Sequence, residues 1–360
     1  MVETLPDQPR KGRGAISNES GRFEPHGRVA VDDGWTLDAE EDLPPLRTSV
    51  GHDSSRSVIA RNDSPDVPFE RSINPYKGCE HGCIYCFARP THAYLGLSPG
   101  LDFETKLFAK PDAARLLEAE LARPSYTPDV IALGTNTDPY QPVERHLEIT
   151  RSILEVLARA HHPVAIVTKS NLILRDLDIL APMANARLAK VFVSVTTLDP
   201  GLARRMEPRA SRPALRLEAI RRLAEAGIPT GVLTAPMIPA LNDEELEAIL
   251  EAAARAGARS ANYILLRLPL EIADLFSEWL EAHFPDRKDH VLNLLRGMRG
   301  GKLYQSGWGK RMRGTGVYAD LLARRFELAC QRLGLDEHDW DLDVSQFRRP
   351  TLPGDQLALF

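Results

Sequence analysis

From residue 69 onward, short β-branched apolar runs alternate with longer stretches whose apolar residues recur at helical spacing. The runs predict strands at 69–73, 129–134, 163–169, 190–196, 230–236 and 262–266. Between them, 144–160 reads as a helix with Leu147, Leu154 and Leu157 on one stripe. A second helix is expected over 211–226, with Ser211 as N-cap, Leu223 inside and Arg212, Arg216 and Arg222 outside. A third is expected over 242–256, capped by Asn242 or Asp243. Gly227 and Gly257 stand where these helices should stop. Strand followed by helix, with few hairpin signals, means parallel βαβ units. The expected fold is α/β: a partial (β/α)6 barrel of the TIM type, with a doubly wound open sheet as the competing arrangement. Ligands gather at the C-terminal ends of the strands in either case. After residue 268 the pattern is mostly helical, through 284, 289–298 and 318–333, with a Gly-rich basic stretch at 297–316. The expected organisation is a mobile N-terminal arm over 1–65, a core over 66–270, a helical extension over 271–345 and a flexible tail over 346–360.

Composition narrows the class. The chain has 360 residues, 43% hydrophobic, enough for a sizeable core. Its 45 Lys and Arg against 50 Asp and Glu give a net charge of −5, which excludes a generally basic binder but permits a local basic patch. A mean hydropathy of −0.26, no apolar run of bilayer-spanning length and no leader-like start make a cytoplasmic protein the expectation.

Chemistry concentrates in the cysteines. Cys79, Cys83 and Cys86 fall within eight residues, and the fourth, Cys330, is far away. A disulfide framework is not spaced in this way. The C-x3-C-x2-C spacing directly follows the first expected core strand. Three thiolates from one loop can bind three irons of a cubane and leave the fourth without a protein ligand. Gly78 and Gly82 let the backbone wrap closely. Two other readings are a zinc site with His81 as fourth ligand, and three merely buried thiols.

The cysteine spacing, Tyr85 before the last cysteine and the position after a first strand resemble the radical S-adenosylmethionine enzymes. More narrowly, 79–97 together with Thr135-Asn136-Thr137-Asp138-Pro139-Tyr140-Gln141-Pro142-Val143-Glu144 is similar to their spore photoproduct lyase-related branch, over roughly residues 69–270. The resemblance implies a [4Fe–4S] cluster on Cys79, Cys83 and Cys86. It implies that the open iron chelates S-adenosylmethionine, and that reductive cleavage gives methionine and a 5′-deoxyadenosyl radical that abstracts a substrate hydrogen. An electron donor of the flavodoxin or ferredoxin type is implied with it. The cosubstrate pocket is then expected to use Thr135, Asn136 and Asp138 as ammonium acceptors, in place of the Gly-Gly-Glu of many family members. Lys169 and Ser194 are expected at strand ends, with Tyr85 beside the adenine. Competing readings are a solvated strand-end Lys169, a core-facing Ser194 and an acid/base Asp138 of some other chemistry. Glu207 or Arg209 reaches the cosubstrate or substrate, or belongs to a loop preceding a helix.

The lyases themselves use a cysteine near the second strand as hydrogen donor, and this chain has none between Cys86 and Cys330. Cys330 fits a helix interior, so Tyr94, Tyr140 or a terminal-region tyrosine becomes the candidate donor. For substrate, a nucleic acid lesion or modified base is expected. Residues 296–325 carry Arg296, Arg299, Lys302, Lys310, Arg311, Arg313, Arg324 and Arg325, interleaved with Tyr304, Trp308 and Tyr318, against the single acid Asp320. The ending Gln356-Leu357-Ala358-Leu359-Phe360 is similar to the peptide by which bacterial repair proteins dock on the sliding clamp. Two other functions stay open: a non-catalytic DNA-associated iron–sulfur adaptor, and a radical enzyme acting on a small metabolite or peptide.

Overall fold

The structure, a computed structural model, describes residues 8–24, 26–27, 46–337 and 340–351. Among these residues ten strands form two sheets: β1 Ser49–His52, β2 Ile59–Arg61, β3 Arg71–Ile73, β4 Tyr76–Lys77, β5 Lys106–Ala109, β6 Ile131–Leu133, β7 Val164–Thr168, β8 Ala189–Ser194, β9 Thr230–Met237 and β10 Ser260–Leu265. The large sheet has the order β10-β9-β8-β7-β6-β3-β2. Its first six members are parallel, and β2 pairs antiparallel with β3 at the edge. All six expected core strands are present.

The strands form here because their apolar side chains are covered on the sheet's faces. β6 is buried throughout, β7 alternates buried and half-buried residues, and Val191, Val193 and Val232 are fully buried. Helices Ile149–Arg159, Leu177–Asn185, Pro213–Glu225 and Leu246–Arg255 supply the connections that parallel strands require. The parallel α/β core is as expected. The sheet's two ends, β10 and β2, are not joined to each other among the described residues.

Several local expectations change. Residues 8–24 and 46–65 were expected to be mobile, but Arg13, Gly14, Ala15 and Ile16 are buried, and β1 pairs in parallel with β5. This stretch lacks hydrophobic periodicity because backbone and polar side chains, not an apolar face, attach it. The 211–226 helix starts at Pro213 with Arg212 as N-cap, since the proline suits the first turn. Ser211 instead bonds Asn171, through Asn171 N–H at 2.9 Å and Oδ1 at 2.8 Å. Arg216, expected outside, is buried. The 144–160 helix is split at Glu148, whose φ is 51°. A short three-stranded sheet, β1-β5-β4, packs beside the cysteine loop and carried no strong sequence signal.

Candidate active site

The loop after β3, the turn after β6, and the ends of β7 and β8 all lie at the C-terminal edge of the parallel sheet. This is where such sheets leave a crevice. Cys79, Cys83, Cys86, Thr135, Asn136, Asp138, Lys169 and Ser194 are all on these segments.

The cysteine loop is tightly made. Cys79 N–H donates to Phe103 O at 3.0 Å, and Cys86 N–H to Cys83 O at 3.2 Å. At Gly78 (φ +76°) a Cβ would lie 2.9 Å from Phe103 O, and at Gly82 (φ +68°) 2.7 Å from Glu104 Oε2. Both positions therefore require glycine. Gln141 braces the loop: it accepts from Glu80 N–H at 2.9 Å and donates to Gly78 O at 3.2 Å. Thr137 donates to Tyr76 O at 2.9 Å. The Thr-Asp-Pro-Tyr-Gln segment thus works largely as a buttress for the cysteine loop.

All three thiols are free, Cys79 and Cys83 buried and Cys86 half-buried. Burial pushes the Cys79 thiol well up, as do Asp138 and the other two sulfurs; burial and then Glu207 push up Cys83. Three thiols on one short loop supply the soft donor set that iron takes, and iron removes the thiol protons on binding. His81 does not join them. Its Nδ1 lies 3.4 Å from Asp138 Oδ2, so the donor set fits three thiolates on a multi-iron cluster better than a Cys3His zinc site.

Asp138 is more occupied than expected. Oδ1 accepts from Tyr140 N–H at 2.9 Å and Thr168 Oγ1 at 2.7 Å, and Oδ2 accepts from Lys169 N–H at 2.7 Å. Burial works against its charge, but His81 and these hydrogen bonds overcome it and hold the carboxyl down at about 2. Asp138 therefore ties the turn after β6 to the end of β7. Thr135 and Asn136 are half-buried, and their side chains have no protein partner among the described residues. The Lys169 ammonium sits 5.8 Å from the Tyr85 ring centre and makes no ion pair among the described residues. Ser194 is buried at the end of β8.

Glu207 is fully engaged. It accepts from Tyr85 Oη, from Thr196 Oγ1 at 3.0 Å and from Arg216 Nη2. Arg216 also donates to Ser194 O at 3.2 Å, so this buried pair links the Tyr85 ring to the end of β8. Arg209 bonds Glu80 at 3.1 Å. Sequence reasoning missed Gln141, Arg216, Arg89 and Glu104. Their roles lie in long-range contacts that no local pattern encodes.

The basic segment is less free than its charge suggests. Arg299 is buried and donates to Leu266 O at 2.9 Å and to Lys310 O at 2.9 Å. Arg325 pairs with Glu247 at 2.6 Å, and Arg313 bonds Asn262 at 2.7 Å over the Tyr263 ring. Arg311 pairs with Asp66 yet also covers the Trp308 ring at 4.3 Å, and Trp308 is 57% exposed. Nearer the cysteines, Arg267 covers exposed Phe87, the residue after Cys86, at 4.5 Å. Cys330 is buried in Val317–Leu333, and burial raises its thiol to about 11. Tyr140 is buried and bonds Asp176 at 3.1 Å, Tyr318 bonds Asp243, and Tyr94 stands exposed against Phe23. Residues 356–360 lie outside the described residues. Among the described residues, no helix is long and apolar enough to cross a membrane.

Residues 73–253 match the family model of the radical SAM superfamily. An uncharacterized protein of Mycobacterium tuberculosis strain H37Rv is 39% identical over 232 residues, 64% of this chain and 68% of that protein. An uncharacterized protein of Methanocaldococcus jannaschii is 25% identical over 221 residues, 61% of this chain and 79% of that protein. Among solved structures, spore photoproduct lyase complexed with dinucleoside spore photoproduct aligns with a TM-score of 0.55 at 18% identity, covering 79% of this chain and 78% of that one. At that identity the likeness is one of fold.

Proposed function

We propose, for a chain that belongs to the radical SAM superfamily, that its radical chemistry is directed at a nucleic acid, at a lesion or a modified base. The chain is an enzyme that uses a [4Fe–4S] cluster and S-adenosylmethionine. When bound, these supply reductive cleavage of a sulfonium C–S bond and hence a hydrogen-abstracting radical, which calls for a small electron-donor protein of the flavodoxin or ferredoxin type.

The chain's own residues hold and shield this chemistry. Cys79, Cys83 and Cys86 carry the cluster, and no fourth cysteine is near them in sequence to close the remaining iron. Lys169, with no anion among the described residues, offsets the cosubstrate carboxylate. Thr135 and Asn136 offer oxygens to its ammonium group. Asp138 positions the Lys169 backbone rather than accepting from the ammonium itself. Ser194 lies at the ribose side, and Tyr85, pinned by Glu207, walls the adenine side.

The observation that supports a nucleic acid is a pair of exposed aromatic rings, Phe87 and Trp308, each with a half-buried arginine over it, Arg267 and Arg311. Phe87 adjoins the last cluster cysteine. An aromatic face with a guanidinium over it suits an unstacked base and its phosphate. This favours a few stacked residues over the basic segment as a whole, whose arginines, Arg311 with Asp66 included, are largely paired within the protein.

Two measurements test this. Reconstituted under anaerobic conditions and reduced with S-adenosylmethionine, the protein releases 5′-deoxyadenosine, and Cys79→Ala, Cys83→Ala or Cys86→Ala abolishes it. Binding to a labelled single-stranded oligonucleotide weakens linearly in log–log form as salt rises. Phe87→Ala weakens it further, by the ~1–3 kcal/mol typical of one lost stacking contact. Salt-independent binding, or an unaltered Phe87→Ala protein, rejects the nucleic acid and leaves a small metabolite or peptide as substrate.

A further inference from the structure

The cysteine loop has a fastening on its far side. Arg89 follows the last cysteine by three residues and is completely buried. Its Nε donates to Cys83 O at 2.9 Å and its Nη2 to Gly82 O at 3.2 Å. Nη1 takes Pro99 O and Gly100 O, both at 3.0 Å. Its charge is balanced by Glu104, also completely buried, at 2.5 Å. Glu104 is closed in by the N-terminal segment: it accepts from Gly14 N–H at 2.9 Å and Ala15 N–H at 2.8 Å. Arg13 donates to Glu104 O at 2.8 Å. The segment lies so close that a Cβ on Gly14 would be 1.8 Å from Gly82 O.

This arrangement orients one peptide between cluster cysteines. In a trans peptide the N–H points opposite to the C=O. With the Gly82 carbonyl held by Arg89, the Cys83 N–H faces the other way, and it has no protein partner among the described residues. The next N–H, that of Ile84, is already taken by Met206 O at 3.0 Å. An N–H left free beside a thiolate is a donor waiting for sulfur, and hydrogen bonds to cluster sulfurs are among the factors that set reduction potential.

We propose that Arg89 and Glu104 are positioning residues that hold the Gly82–Cys83 peptide so that its N–H donates to cluster sulfur and raises the cluster's reduction potential. A donor to sulfur favours the more negative, reduced state. The N-terminal segment is part of the device, because it excludes water from Glu104 and keeps the ion pair closed. No ligand role is assigned to either residue.

The test is an electrochemical titration of the reconstituted full-length protein, followed by electron paramagnetic resonance. Arg89→Met combined with Glu104→Gln keeps the net charge of the pair at zero and removes the guanidinium donors. The expected result is a full iron and sulfide content with a midpoint more negative than wild type. Arg89→Lys keeps the charge, but three donors on one nitrogen cannot reproduce the five contacts that Arg89 spreads over three nitrogens, so its midpoint is also expected to fall. Glu104→Gln alone leaves the carbonyls held and adds positive charge, so its midpoint rises. A wild-type midpoint in a loaded double variant or in Arg89→Lys overturns the proposal. So does failure of both to load iron at an unchanged apo-protein melting temperature, which would make the pair an assembly scaffold instead.

Discussion

Replacing Glu207 by Gln removes one charge from the middle of the site with almost no change in volume. Arg216, 1% exposed, would keep its positive charge but lose its carboxylate, while retaining Ser194 O at 3.2 Å and Ser211 O at 2.6 Å. Leaving one member of a buried ion pair uncompensated costs ~3–5 kcal/mol. Tyr85 and Thr196 can still donate to the amide oxygen, so their loss is the smaller one of charge assistance. Against a domain stability of ~5–15 kcal/mol, a shift of about 3 kcal/mol is easily measured. Urea unfolding of the metal-free chain under reducing, anaerobic conditions should show a lower midpoint with the same slope. Tyr85→Phe alone should cost ~1.5–3 kcal/mol, the value of a hydrogen bond to a charged group. In the Glu207→Gln background it should cost less, by ~0.5 kcal/mol or more, because the two share one carboxylate. A Glu207→Gln loss under ~1 kcal/mol, or strict additivity, would show that the buried carboxylate is not the node described.

Other consequences follow from the same geometry. Gly134 has φ +84°, and a Cβ there would meet Val167 O at 1.9 Å, backbone against backbone; Gly134→Ala should cost more than the ~1–2 kcal/mol of the left-handed conformation alone, and a near-neutral melting shift would contradict the packing. Burial, reinforced by nearby Arg71 and opposed by the Pro163 carbonyl, lowers His162 from 6.5 to about 4. The unfolded chain therefore binds more protons between those values, so stability should drop by up to ~1.4 kcal/mol per pH unit as pH falls from 6.5 to 4; His162→Gln should remove that component, and an unchanged pH slope in the variant refutes it. Cys330, raised from 9.0 to about 11, should alkylate at pH 8 about a hundredfold more slowly than an ordinary thiol, read by mass spectrometry of the native apo chain; labelling at the free-thiol rate would place it outside the core. Lys169→Met should weaken S-adenosylmethionine binding at least ~10-fold in equilibrium dialysis of the loaded protein while iron content stays at the wild-type level, and unchanged affinity would remove Lys169 from the pocket.

Periodicity and spacing are local properties, and what depends on them was readable along the chain. The six core strands follow from short apolar runs between helical segments, and the cysteine loop follows from three thiols in eight residues with glycines at Gly78 and Gly82. Because parallel strands all present the same end, their order of appearance also placed Thr135, Asn136, Asp138, Lys169 and Ser194 together. What no local signal carried is how charged groups are shared across distance. Arg216 reads as a surface residue of a helix until Glu207, nine residues earlier, is folded beneath it. Asp138 reads as a free acceptor until Thr168 and Lys169, about thirty residues later, take both its oxygens. Residues 13–15 read as an unstructured arm until Glu104 accepts from the Gly14 and Ala15 N–H groups and from the Arg13 side chain. An apolar face announces its burial in every turn, whereas a buried charge is decided by one partner, and only the tertiary fold chooses that partner.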